Sequence, residues 1–448
     1  MSKQPSFADK IKELGAGVNK FQKFGLSGNP FFKKAIVTPD TIDDEELHRI
    51  FCYEIRASEI DRIFRVLISP SYENAKPANV WIEGNPGLGK SMILLYIWSQ
   101  LKVYRPDVIA FYTEIKKEGF KLVWDEILRK ENTGIIFFQT LVLRLAAKMV
   151  LANPELAENN ADILDKLKKD DVSIREFLPV SFESEEEAKE GPKIDVSALS
   201  SVMKAELGEN GITTKLRDCL LTILTDPVEG YNQLSRIPAT VRTRSTAELF
   251  RVIRMAGYRM GYLFIDQLDF VFREGKLTSN QKQSLVNDFR RFANETRIAS
   301  VAATSYPDLS ATEFKPNPQL MAALPLNKFT VVEIGALSTE EAKAMTVKYL
   351  DSVKTKDSVP GLFPYTEPAI EHISDAAQGH TRSIITSLGG LLEVAADDPK
   401  VKTIDVDFVS KWIETPEGRE AIEGEEAISD EKVSVRSKRK EETFEDLE

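Results

Sequence analysis

Asn79-Val-Trp-Ile-Glu83, running straight into Gly84-Asn85-Pro86-Gly87-Leu88-Gly89-Lys90-Ser91, is the stretch on which the fold turns. A short apolar run that stops at a glycine-rich loop, and is followed by helical periodicity through Leu101, reads as strand, loop, helix. The loop fits G-x-x-x-x-G-K-[ST] at every fixed position. Each of those positions has a physical task. Glycines let backbone N–H groups turn inward around phosphate oxygens, and the helix that follows offers its positive end. Lys90 is placed to reach the β- and γ-phosphates, and the Ser91 hydroxyl to ligate Mg²⁺. Residues 84–91 are therefore expected to bind ATP together with Mg²⁺.

Working outward, apolar runs at 108–113, 261–266, 298–304 and 329–334 read as four more strands. Strands that are apolar throughout and separated by helical stretches predict a parallel sheet covered on both faces. The expected class is α/β, a P-loop NTPase with a parallel five-stranded sheet and flanking helices, followed by a small all-helical lid domain. Residues 1–50 read as an N-terminal arm, 51–336 as the nucleotide-binding domain and 337–413 as the lid. The lid helices are expected at about 338–354, 366–378, 381–396 and 405–413. The segment 414–448 reads as an acidic disordered tail, and about 150–245 as a helical insertion in the nucleotide-binding domain. Ser245-Thr-Ala-Glu248 has the pattern of a capping box opening a helix. Trp81, Trp98, Trp124 and Trp412 all fall in apolar patterns and are assigned to packing.

Tyr262-Leu-Phe-Ile-Asp266 is an apolar strand ending in a carboxylate. At the carboxyl end of a parallel sheet that side chain lies beside the phosphate loop, so Asp266 is assigned, with Ser91, to the metal. Gln267 follows. A glutamine orients a water but does not accept its proton at neutral pH, and Asp269 is a candidate substitute base.

In this order the motifs resemble the AAA+ ATPases, over roughly residues 29–413, and within them the replication-initiator (origin-recognition) branch. The layout is also similar to transposition and phage-defence ATPases, the latter through residues 250–266. The resemblance implies further roles. Asn29-Pro30-Phe31 and the segment 54–60 look like the adenine-contacting stretch. Thr304 or Ser305 stands at the sensor 1 position, and Gly379-His380-Thr381-Arg382 is similar to sensor 2, with Arg382 directed to the γ-phosphate. Lys90, Asp266, Gln267, Asp269, Thr304 and Arg382 thus form the expected catalytic set.

This sequence departs from the family pattern in four ways. Relatives that hydrolyse usually carry Glu where Gln267 stands. The separation of Lys90 from Asp266 is unusually long. The chain leaves no room for a winged-helix domain after the lid. No arginine occurs in 314–329, where an arginine finger is expected; Lys328, Arg290, Arg291 and Arg297 are the nearest alternatives.

The chain has 448 residues and a net charge of −11, so its surface as a whole does not attract nucleic acid, although a basic cluster lies at 436–440. Its two cysteines, Cys52 and Cys219, stand apart and argue against a disulfide framework. Three scattered histidines suit no metal cluster. No apolar run is long enough for a membrane, and the N-terminus lacks a secretory layout, so the cytoplasm is expected. The expected partners are further copies of the chain in an ATP-dependent homo-oligomer, a protein partner and, as a candidate, DNA. Two other readings stay open: a monomeric signal-transduction NTPase, and a slow-hydrolysing nucleotide-binding scaffold.

Overall fold

The computed structural model describes residues 19–31, 44–114, 121–128, 134–153, 196–267, 299–305, 330–356 and 359–423, with five single positions besides. Five strands form one parallel sheet: β1 (Asn79–Glu83), β2 (Val108–Glu114), β3 (Met260–Asp266), β4 (Ala299–Ser305) and β5 (Val331–Glu333). Their order is β2-β3-β4-β1-β5. β1 is thus flanked by β4 and β5, and the chain crosses over β4 and β3 to reach β2. This places the turn after β1 at the point where strand order reverses, the crevice in which open α/β sheets take their ligands. The molecule has an α/β fold, a parallel five-stranded sheet with flanking helices, and a helical C-terminal part.

Alternation along the strands sorts the side chains onto two faces. Trp81, Phe111, Leu263, Ile265, Val301, Ala303 and Val331 point to one face and join a single hydrophobic core. The same core takes Phe138, Leu141 and Leu145 from the helix Ile135–Ala152, and Leu199, Leu216, Leu220 and Leu234 from the helices Val196–Glu209, Thr214–Thr225 and Pro227–Ser235. The segment read as an insertion therefore builds one wall of the main core where it is described. Its sequence shows only weak helical signals because burial comes from several short helices packed together, each with few apolar positions. On the other face lie Tyr112, Tyr262, Phe264, Asp266 and Thr304. The helix Lys90–Tyr104 covers part of that face: Trp98 donates to Ala110 O at 3.0 Å, and its ring lies 5.8 Å from that of Tyr112. The four tryptophans are all buried, as packing requires.

Three expectations need correction. The helix expected to open at Ser245 runs over Arg242–Met255, so Ser245 and Glu248 lie inside it. Glu248 instead accepts from Thr213 N–H (3.1 Å), Thr213 O–H (2.7 Å) and Arg244 Nε (2.8 Å). A tertiary partner won over the local capping pattern. Second, the tail is not wholly without structure, since residues 416–423 are helical. Residues 424–448, with the basic cluster, lie outside the described residues.

The third concerns the N-terminal arm. The chain divides into two compact units: Met1–Arg56, Pro86–Gly89 and Gly335–Glu448 in one, Ala57–Asn85 and Lys90–Ile334 in the other. In the first, the described part of the arm belongs to the helical core. Phe31 stacks on Tyr349 at 5.5 Å and meets Tyr365 edge-on, while Phe24 meets Phe363 edge-on. Leu26 forms an antiparallel bridge with Lys354. Asn29 Nδ2 donates to Gly389 O and to Glu393 Oε1. The lid helices appear at Thr339–Asp351, Glu367–Ala376, Thr381–Asp397 and Val406–Ile413, within a few residues of their expected bounds. Ser338 and Glu341 close a reciprocal capping box on the first of them.

Candidate nucleotide site

The loop 84–89 leaves β1 and delivers the chain into the helix that starts at Lys90. Gly87 and Gly89 both take left-handed backbone angles, φ +78° and +90°. Glycine accepts these without steric penalty, and they turn successive N–H groups toward one side. A Cβ placed on Gly89 would meet nothing within 4 Å, so the space beside the loop backbone is open. Lys90 Nζ donates to Gly84 O at 2.7 Å and Asn85 O at 2.9 Å, which keeps the ammonium group inside the loop, only 9% exposed. Ser91 follows in the first turn, half-buried.

Asp266 ends β3 and is 2% exposed. Tyr112 O–H donates to its Oδ2 at 2.5 Å, and Thr304 O–H donates to its Oδ1 at 2.7 Å. Gln267 N–H donates to the same Oδ1 at 2.9 Å and to Thr304 Oγ1 at 3.0 Å. Three adjacent strands thus place Tyr112, Asp266 and Thr304 in a row on the face covered by the helix Lys90–Tyr104. Burial, together with the Asp266 and Glu114 charges, pushes the Tyr112 hydroxyl well above its ordinary pKa, so it is a standing donor. Gln267 itself has φ +54°, a left-handed angle that costs a non-glycine residue about 1–2 kcal/mol. Its bifurcated N–H bond holds it there.

In the helical unit, Gly379 has φ +71°, and a Cβ there would fall 2.3 Å from Leu337 O, so only glycine fits. This turn starts the helix bearing Arg382. Arg382 N–H donates to Gly87 O at 2.8 Å, and a Cβ on Gly87 would come within 3.1 Å of Arg382 Cβ. Arg56 Nη2 donates to Leu88 O and to Gly335 O, each at 3.2 Å, and is 6% exposed.

The expected residues therefore distribute as follows. Asp266, Thr304 and the Gln267 backbone form one hydrogen-bonded cluster, Lys90 closes on its own loop, and Arg382 touches Gly87 through the main chain. Asp269, Lys328, Arg290, Arg291 and Arg297 lie outside the described residues. Sequence reasoning missed Tyr112, and it took in Arg56 only as part of the segment 54–60, with no role of its own. The signal for Tyr112 was its even spacing with the carboxyl end of β2 in an otherwise apolar run.

The donor set suits a magnesium nucleotide. The open space beside Gly89, the enclosed ammonium of Lys90 and the Ser91 hydroxyl present what phosphates and a hard cation require, and Asp266 supplies a carboxylate.

Solved chains similar to this one include the following two. Cdc6p from Pyrobaculum aerophilum superposes with a TM-score of 0.43 at 12% identity, covering 83% of this chain and 70% of its own. The Aeropyrum pernix Orc1 protein, solved in complex with DNA, gives 0.40 at 11% identity, over 80% of this chain and 64% of its own. No family model and no curated protein sequence matches. Among the described residues, no helix is long and apolar enough to cross a membrane.

Proposed function

We propose that this protein binds ATP and Mg²⁺ through residues 84–91 and acts as an AAA+ ATPase whose bound nucleotide switches its assembly in DNA transactions such as replication, transposition or phage defence. The observation that carries the nucleotide reading is the left-handed glycine pair and enclosed Lys90 ammonium of the loop, with Asp266 and Thr304 on the sheet face that the loop's helix covers. In this reading backbone N–H groups and Lys90 bind the phosphates, Ser91 and Asp266 hold Mg²⁺, and Thr304 and Arg382 respond to the γ-phosphate. Magnesium, when bound, neutralises phosphate charge. The order of motifs through Gly379–Arg382 supports the AAA+ assignment, and with it a homo-oligomer, a protein partner and DNA.

Calorimetry tests it: ATP uptake is expected to need Mg²⁺ and to weaken at least 100-fold in Lys90→Ala. Magnesium-independent uptake, or uptake untouched by that substitution, would overturn the reading. Binding of DNA at low salt tests the DNA part separately, since phosphate contacts weaken steeply as salt rises. Gln267 favours a second reading, a slowly hydrolysing scaffold, because its carboxamide orients a water without taking its proton.

A further inference from the structure

Asp266 is the one carboxylate in the row, and its hydrogen bonds can be counted against its capacity. A carboxylate offers about four lone-pair positions, two on each oxygen. Thr304 O–H and Gln267 N–H take both positions of Oδ1. Tyr112 O–H takes one of the two on Oδ2. Among the described residues a single position, on Oδ2, is left for anything else, and Tyr112 decides which one it is. The tyrosine is itself held firmly: it is 3% exposed, and its ring packs at 5.8 Å against Trp98 of the phosphate-loop helix. Trp98 is anchored in turn to Ala110 O on the same strand as Tyr112.

We infer that Tyr112 is a positioning residue for the metal: its hydroxyl orients Asp266 so that one lone pair of Oδ2 is presented to the Mg²⁺ shell of the bound nucleotide. This rests on the magnesium-nucleotide reading above. The packing of Tyr112 on Trp98 registers the carboxylate to the helix that begins with Lys90 and Ser91, so the metal's two protein contacts are aligned through one buried aromatic pair. Removing the hydroxyl leaves the ring in place and frees Oδ2 to turn.

The test uses the full chain and ATP, with affinity measured by calorimetry in excess MgCl₂ and again in EDTA. The ratio of the two dissociation constants isolates the metal-dependent part. Tyr112→Phe is expected to lower that ratio by roughly tenfold, the scale of one hydrogen bond to a charged group, while affinity in EDTA stays as in the wild type. Tyr112→Met, which also lacks the hydroxyl, is expected to lower it likewise. Tyr262→Phe is the control, since Tyr262 lies on the same face and its hydroxyl bonds Ser71 at 2.8 Å instead of Asp266. An unchanged ratio in both Tyr112 variants overturns the inference, as does an equal fall in Tyr262→Phe, which would mean general loosening of the face. If the wild type itself shows no magnesium-dependent uptake, the nucleotide reading fails and this inference falls with it.

Discussion

At Gln267 two demands meet in one residue. Its backbone must turn left-handed to bring N–H onto Asp266 and Thr304, and in the proposed function its side chain stands where hydrolysis would need a proton acceptor. The amide cannot accept that proton, so turnover is expected well below the roughly 10 per second typical of enzymes. Gln267→Glu should raise phosphate release at least tenfold without altering ATP affinity, because a positioned general base is worth about 10²–10⁴. No rise, with a fast wild type, would place the base elsewhere. Thr304→Val removes a donor to the buried Asp266 and leaves Oδ1 with the Gln267 N–H alone. A stability loss of about 1–3 kcal/mol is expected, read from denaturant midpoints. Cys219 is buried, and burial pushes its thiol up to about 11. The unfolded chain gives up that proton near its ordinary value of 9.0 while the folded chain keeps it, so this thiol's contribution to stability is complete below pH 9 and declines as pH rises toward 11. Tyr262 and Tyr258, also raised by burial, add to the decline above pH 10. The check is therefore a difference: Cys219→Ala should lose less stability than the wild type between those pH values.

Among elements, the strands were legible and their boundaries shifted by only a residue or two, because a strand buried on both faces must be apolar throughout. The lid helices were legible too, through strong amphipathic periodicity and, at Thr339–Asp351, a true capping box. The helices of 196–235 were legible only as part of a helical segment, without bounds: they bury their apolar faces against a shared core that no single one of them reveals. The mistaken capping box at Ser245 has the same origin, since Glu248 satisfies Thr213, thirty-five positions away. Gly379 is the element-scale position most open to test. Alanine there meets both a left-handed φ and a carbonyl oxygen at 2.3 Å, so Gly379→Ala should destabilise the helical unit by about 2–4 kcal/mol, measured by thermal melting.

On the scale of the whole molecule, the expected outcome is self-association that depends on ATP. Size-exclusion with light scattering should show a larger species with Mg²⁺ and ATP than without nucleotide, and Lys90→Ala should remove the difference. A monomer under every condition would favour the signal-transduction reading instead. The chain's own order of residues determined the glycine-rich loop of 84–91, the five apolar strands, the helical C-terminal part and the acid at the end of β3. All of these are local: periodicity and motif spacing act over a few residues and need no partner. Only the tertiary structure decided that Tyr112 and Thr304 share Asp266, that Arg56 braces Leu88, and that the arm around Phe31 belongs to the helical core. Those contacts join positions that are neighbours through strand pairing or core packing alone, and strand order is set by burial over the whole chain, which no local pattern encodes.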